Sequence, residues 1–225
     1  MTIRAGDASV SVVMIFWNAQ KFMEEAVESV LAQTHPAVEL LLCDDGSSDA
    51  STVMAQRWAA THPSTVRYLE HPGHAHRGMS STRNLGIAAA RGELIAFLDA
   101  DDMWEESHLS QVVSLLRSHP EATVVCGGAL DWYSWEDPTR EDVFSPLPWP
   151  PGVVVPPPLM LTAVLRRGEF STPTCNMLVR ANILDAVGVF EDQFTGMFED
   201  QVFLAKLYLS QQCVVSGART ARYRR

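Results

Sequence analysis

Apolar residues along the chain follow two alternating patterns: short unbroken runs, and longer stretches in which every third or fourth residue is apolar. "VSVVMIFW" (10–17) is a continuous β-branched run, as expected of a strand buried on both faces in a parallel sheet. Residues 20–33 instead set Phe22, Ala26, Val27, Val30 and Leu31 at helical spacing, and "THP" stops that helix. The alternation then repeats. "VELLLC" (38–43) predicts a second strand, and "VMAQRWAA" lies in a helix with Ser47, Ser48 and Asp49 as cap candidates. "VRYLE" (66–70) predicts a third strand, followed by a polar loop, "HPGHAHRG". "MSSTRNLGIAAARG" predicts a helix with Gly92 near its C-cap, and "ELIAFLD" a fourth strand.

This order predicts an α/β fold whose first half is doubly wound, with right-handed crossovers that place ligands beyond the carboxyl ends of the strands. Asp44, Asp45, Asp99 and Asp101 all fall at such ends. The second half is less regular. It predicts a helix in "ESHLSQVVSLLRSHP", a strand in "ATVVCGG", an edge strand in "ALDWYSW", a strand in "TCNMLVR" with Met177, Leu178 and Val179 in the core, a short helix in "ANILDAVG", and a long amphipathic helix in "FEDQVFLAKLYLSQQ". Between them, residues 145–158 hold seven prolines, which excludes a helix interior or a central strand. Trp149 and "VVV" there point to an ordered surface loop that packs against something.

With 225 residues, 47% of them hydrophobic, the chain can bury a substantial core in one domain. A net charge of −10 argues against nucleic acid and anionic membrane as partners. Cys43, Cys126, Cys175 and Cys213 make no C-x-x-C pair and suit a reducing compartment. No run is long enough to span a bilayer, and the N-terminus lacks a signal-peptide core, so a soluble, cytoplasmic chain is expected.

"RGELIAFLDADDMW" crowds Asp99, Asp101 and Asp102 where a strand leaves the core. Helix capping explains one or two of them. Three adjacent carboxylates repel one another unless a cation sits among them, and oxygen-only ligands suit Mg²⁺ or Mn²⁺. In an extended segment Asp99 and Asp101 face one site, which leaves Asp102 as a cap or as support for that site. His71, His74 and His76 have metal-compatible spacing but no fourth ligand, so their loop reads as a flap. Trp132, Tyr133 and Trp135 read either as a sugar-stacking cluster or as edge-strand packing.

Three stretches, residues 10–49, "GMSSTRNLGIAAARGELIAFLDADDMW" and "GMFEDQVF", together resemble glycosyltransferase family 2, densely over 10–118 and loosely over 174–210. The resemblance implies an inverting, nucleotide-diphosphate-sugar-dependent enzyme of GT-A fold, divalent-metal dependent through Mn²⁺ or Mg²⁺. That fold has a Rossmann-like nucleotide-binding half (8–118), with a mostly parallel sheet flanked by helices, and a smaller acceptor-binding half (119–225). It further implies Phe16, Trp17 and Asn18 along the base, Asp45 on the pyrimidine edge with Asp44 structural, and Arg83 near the diphosphate or the acidic motif. Asp99 and Asp101 match the D-x-D motif, with Asp99 near ribose or metal and Asp101 as direct metal ligand. Asp200 matches the catalytic base and Glu199 its neighbour, against the plain reading of both as first-turn helix acids.

The donor implied is a UDP-sugar and the acceptor a carbohydrate, lipid-linked or other hydroxyl, as in polysaccharide biosynthesis. Relatives often continue through Tyr-Arg-x-His, whose histidine completes the metal shell in several, so the chain is expected to be a catalytic domain cut short after Arg225. Two competing classes are a non-catalytic nucleotide-sugar or carbohydrate-binding module, which would not need Asp200, and a nucleotidyltransferase, which would usually show a Gly-rich loop that "FWNAQ" lacks.

Overall fold

The four apolar runs pair as parallel neighbours at the centre of the molecule. The computed structural model describes residues 8–35, 39–128, 130–167, 172–195 and 198–225. Its first half comprises β1 (Val10–Phe16), α1 (Met23–Leu31), β2 (Glu39–Asp44), α2 (Ser51–Thr61), β3 (Val66–Glu70), α3 (Met79–Ala89), β4 (Leu94–Asp99), β5 (Met103–Trp104) and α4 (His108–Ser118). The remainder is β6 (Val124–Gly127), β7 (Leu130–Trp132), β8 (Val143–Phe144), β9 (Val154–Val155), α5 (Leu159–Arg167), β10 (Met177–Arg180), α6 (Leu184–Val187), α7 (Glu199–Ser210), β11 (Cys213–Ser216) and β12 (Ala221–Arg224).

The main sheet runs β3-β2-β1-β4-β10-β6-β11-β9, with β3 to β4 parallel and β10 antiparallel to both its neighbours. Every residue of β1 and β2 is buried, which is why neither run alternates with polar residues. Two apolar layers cover the sheet. Val12, Met14, Leu40 and Leu42 face α1 and α4; Val13, Leu41, Ile95 and Phe97 face the layer of Phe203 and Leu207. Each fully buried aliphatic side chain contributes about 1.5–3 kcal/mol to folding.

A second sheet, β5-β12-β7-β8, crosses the carboxyl end of β4 and draws the last strand against the acidic turn. All four cysteines are free and buried. Among the described residues, no helix is long and apolar enough to cross a membrane.

Several elements differ from the pattern-based expectation. Gly92 does not cap α3, which closes at Ala90. A Cβ on Gly92 would meet the Ser11 backbone nitrogen at 2.5 Å, so this glycine permits backbone contact with β1. Asp49 does serve the start of α2, accepting from the Ser51 N–H at 2.9 Å. Asp102 is no helix cap, because α4 starts only at His108. β5, α5, β11 and β12 were not predicted. The apolar stretch 153–155 forms β9 at the sheet edge, where neighbouring prolines are tolerated.

His108 is buried and stacked on Trp104 at 4.5 Å, and burial pushes its pKa down to about 3. The native state therefore keeps it neutral while the unfolded chain protonates near the ordinary histidine value of 6.5. Stability from this group is complete above that value and falls as pH drops toward 3, by about 2 kcal/mol between pH 7 and pH 5. Urea denaturation of wild type and His108→Gln at both pH values checks this. The variant is expected to lose less stability on acidification than wild type.

Candidate active site

The carboxyl ends of β1, β2 and β4 carry the polar residues, and each is held differently. At the end of β2, Asp44 is buried and accepts from the Ser47 N–H (2.8 Å), the Thr52 hydroxyl (2.5 Å) and the Tyr68 hydroxyl (3.1 Å). These bonds fix the β2–α2 turn. Asp45 accepts from the backbone N–H groups of Arg77 (2.6 Å) and Gly78 (3.0 and 3.1 Å), and His76 Nδ1 stands 3.0 Å from its Oδ2.

The histidine loop is thereby tied to β2 and α3. His71 Nε2 pairs with the Thr82 hydroxyl at 3.0 Å. His74 donates to the Ser47 carbonyl and pairs with Glu70, bonds that raise its pKa. His71 (3.9 Å) and His76 (3.0 Å) both stand beside the Asp45 carboxylate, while His74 turns to Glu70 and Ser47.

Of the three residues predicted at the end of β1, Phe16 is only 4% exposed and packs in the core, so its side chain does not line a cleft. Trp17 is 56% exposed and leans on His76 with ring centroids 4.8 Å apart. Asn18 has φ +52 and accepts from the Ser48 and Asp49 N–H groups, stapling the β1–α1 loop to the β2–α2 loop. Trp17 is thus exposed beside His76, whereas Asp45 is buried and its carboxylate is occupied by the loop that carries His76.

A second group gathers at the end of β4. Arg83, on α3, is 2% exposed; its Nη2 donates to both Asp99 oxygens (2.8 and 3.1 Å) and its Nη1 to Glu199 (2.5 Å). Burial opposes its charge, but the two carboxylates outweigh that and raise its pKa. Asp99 also accepts from the Thr174 hydroxyl at 3.1 Å. Asp200, the next residue on α7, accepts from the backbone and side-chain nitrogens of Gln201. Arg83, Asp99, Glu199 and Asp200 line one cleft of about 440 Å³, with Met79, Asp131, Thr174, Phe198, Tyr223 and Arg225.

Asp101 sits one turn residue beyond, exposed, and among the described residues only its own backbone N–H donates to its carboxylate. Burial of the turn and the Asp99 charge raise its pKa. Asp102 is buried beneath, accepts from the Arg224 N–H at 2.9 Å, and leaves Oδ2 without a partner. Burial and its two acidic neighbours drive its pKa well above the usual carboxylate range.

Among the described residues, no three His, Cys, Asp or Glu side chains form a complete metal cage. The donor set of Asp99 and Asp101 does fit a hard cation that takes one or two carboxylates and completes its shell with phosphate and water.

Sequence reasoning missed Asp131, Thr174, Phe198, Tyr223 and Arg225 as cleft residues. The signal for the last two is period-2 alternation in "ARYRR", which sends Tyr223 and Arg225 to the cleft and Arg224 to the opposite face. Trp132 and Trp135 stand beneath Arg224, as packing rather than cleft lining.

A parallel β3-β2-β1-β4 core with an antiparallel extension, and acidic residues at its carboxyl edge, defines the GT-A class. S. aureus TarS in complex with UDP-GlcNAc superimposes with a TM-score of 0.77 at 20% identity, covering 96% of this chain and 58% of that one. The mannosyltransferase PcManGT of Pyrobaculum calidifontis, in complex with GDP-Man and Mn²⁺, gives 0.67 at 19% identity over 97% and 57%. A model of glycosyl transferase family 2 matches residues 11–187, and the chain belongs to that family. An uncharacterized glycosyltransferase of Nostoc sp. is 35% identical over 109 residues, 48% of this chain and 33% of the relative. EpsJ of Bacillus subtilis, also an uncharacterized glycosyltransferase, is 33% identical over 118 residues, 52% and 33% respectively. The chain thus spans about a third of these relatives' length.

Proposed function

We propose that the chain transfers a sugar from a nucleotide diphosphate donor, a UDP-sugar, to an acceptor hydroxyl with inversion at the anomeric carbon. The observation that carries this reading is the convergence of Arg83, Asp99, Glu199 and Asp200, from three separated segments, on one cleft at the carboxyl ends of the parallel strands. The base lies beside the exposed Trp17, and the diphosphate over the 99–101 turn.

The donor is an anion entering an acidic site, so the Coulomb term opposes binding unless cations intervene. Asp101, whose carboxylate takes no hydrogen bond from another described residue, and Asp99 would hold Mg²⁺ or Mn²⁺ there. Such an ion supplies Lewis-acid stabilisation of the charge developing on the leaving diphosphate. Arg83, saturated by Asp99 and Glu199, fixes the direction of both carboxylates rather than binding phosphate itself. Asp200 takes the proton of the acceptor hydroxyl as the hydroxyl attacks the face opposite the leaving group. The acceptor occupies the side of the cleft formed by Phe198, Asp131 and Arg225.

NMR of the transferred sugar's anomeric proton tests the stereochemistry. An α-linked UDP-sugar is expected to give a β-linked product, and an α-linked product would contradict inversion.

A further inference from the structure

The turn that presents Asp101 is gripped from below by one side chain of the last strand. The Arg224 side chain is 7% exposed. Its Nε donates to the Asp101 carbonyl at 2.5 Å, its Nη2 to Glu25 of α1 at 2.6 Å, and its backbone N–H to Asp102 Oδ1 at 2.9 Å. Three rings surround its guanidinium, with centroids at 4.3 Å (Trp132), 4.5 Å (Phe22) and 4.8 Å (Trp135).

We propose that Arg224 is a positioning residue of the donor site, fixing the direction in which Asp101 presents its carboxylate. The inference rests on the reading of Asp101 as a ligand of the donor's divalent cation. Because only its own backbone N–H donates to the Asp101 carboxylate among the described residues, the direction of that carboxylate is set by its own backbone. The Arg224 guanidinium holds that backbone at the Asp101 carbonyl, and the backbone N–H of Arg224 holds the next residue through the Asp102 carboxylate. This fixes the peptide plane that follows Asp101 and so restrains the Cα–Cβ direction.

A planar guanidinium can stack among three rings while two of its nitrogens donate along separate directions. Lysine carries the same charge but offers neither the fork nor the flat stacking surface. The position therefore selects arginine for shape. The guanidinium also brings a fixed positive charge beneath Asp99, Asp101 and Asp102, offsetting part of their mutual repulsion before any cation arrives.

The test is isothermal titration of the 225-residue chain with UDP plus Mn²⁺, and separately with uridine alone, on wild type, Arg224→Lys, Trp135→Leu and Glu25→Gln. Arg224→Lys is expected to weaken UDP–Mn²⁺ binding by about tenfold or more, since a displaced ligand loses its cation geometry, while uridine affinity stays at the wild-type value. Glu25→Gln, which removes only the outer ion pair, is expected to stay within about twofold of wild type.

Trp135→Leu takes away one wall with the charge retained and is expected to lose about threefold, so it carries the test if Arg224→Lys does not fold. Wild-type UDP–Mn²⁺ affinity in Arg224→Lys would overturn the inference, because charge alone would then suffice. An equal loss of UDP and uridine affinity would overturn it as well, as general damage to packing. A wild type without Mn²⁺-dependent UDP binding would instead overturn the donor-site reading, and this inference with it.

Discussion

Asp200→Asn is expected to reduce turnover by about 10³-fold or more while leaving nucleotide affinity within a factor of two, because a positioned general base contributes about 10²–10⁴ to rate. Asn keeps the size of Asp, and its one side-chain oxygen can still accept from the Gln201 backbone N–H, now at 2.8 Å, so the start of α7 is preserved; only the bond from the Gln201 side chain is given up. It cannot take a proton. Asp200 is half-buried and lines the cleft, whereas Glu199 beside it is buried and committed to Arg83. The two acids therefore divide: Glu199 balances charge, and Asp200 faces the reacting groups. Steady-state rates and UDP titration on the same preparation check the split. Unchanged turnover in Asp200→Asn would remove it as the base and revive the reading of a plain binding module.

Arg83→Met is expected to destabilise the fold by about 3–5 kcal/mol, the range for removing one partner of a buried ion pair. Its loss strands Asp99 and Glu199, 26% and 6% exposed in their side chains, with no cation between them. Arg83→Lys is expected to recover only a minor part, since one ammonium cannot donate in parallel to both carboxylates along the directions the guanidinium uses. The double variant Arg83→Met/Glu199→Gln is expected to be more stable than Arg83→Met alone, because it removes the stranded charge. Urea denaturation decides the matter. A loss below about 1 kcal/mol in Arg83→Met would mean that water or a bound cation already screens these carboxylates.

How far this site was legible in the sequence follows from the range of each interaction. The four central strands were readable because full burial leaves no polar residue to break the runs, as in β2, where all six residues are buried. Asp45, Asp99 and Asp101 were readable as strand-end carboxylates for the same reason. Asp99 and Glu199 meet through Arg83, but Arg83 and Glu199 lie 116 residues apart, and no periodicity encodes such a pairing. Phe16 was misplaced because a residue at a strand end can face either the layer below or the cleft, and here it turns to the layer below.

The largest omission was the C-terminal "RTARYRR", whose charges suggest a solvated tail. β12 is a strand because β5 and β7 flank it and because aromatic faces and acids absorb its arginines: Arg224 lies over Trp132, and Arg222 pairs with Glu105. β5 and β9 are two residues each, too short to carry any pattern, and exist only through their partners. α5 does have a helical pattern, but it begins directly behind seven prolines that draw the reading toward a loop.

Isothermal titration of UDP into wild type and Asp101→Ala, with and without Mn²⁺ and with GDP and dTDP as comparators, tests the proposed donor site most directly. The account predicts UDP binding to wild type that needs Mn²⁺ and is lost in Asp101→Ala. Binding of no nucleotide, or UDP binding indifferent to both Mn²⁺ and Asp101, would contradict it.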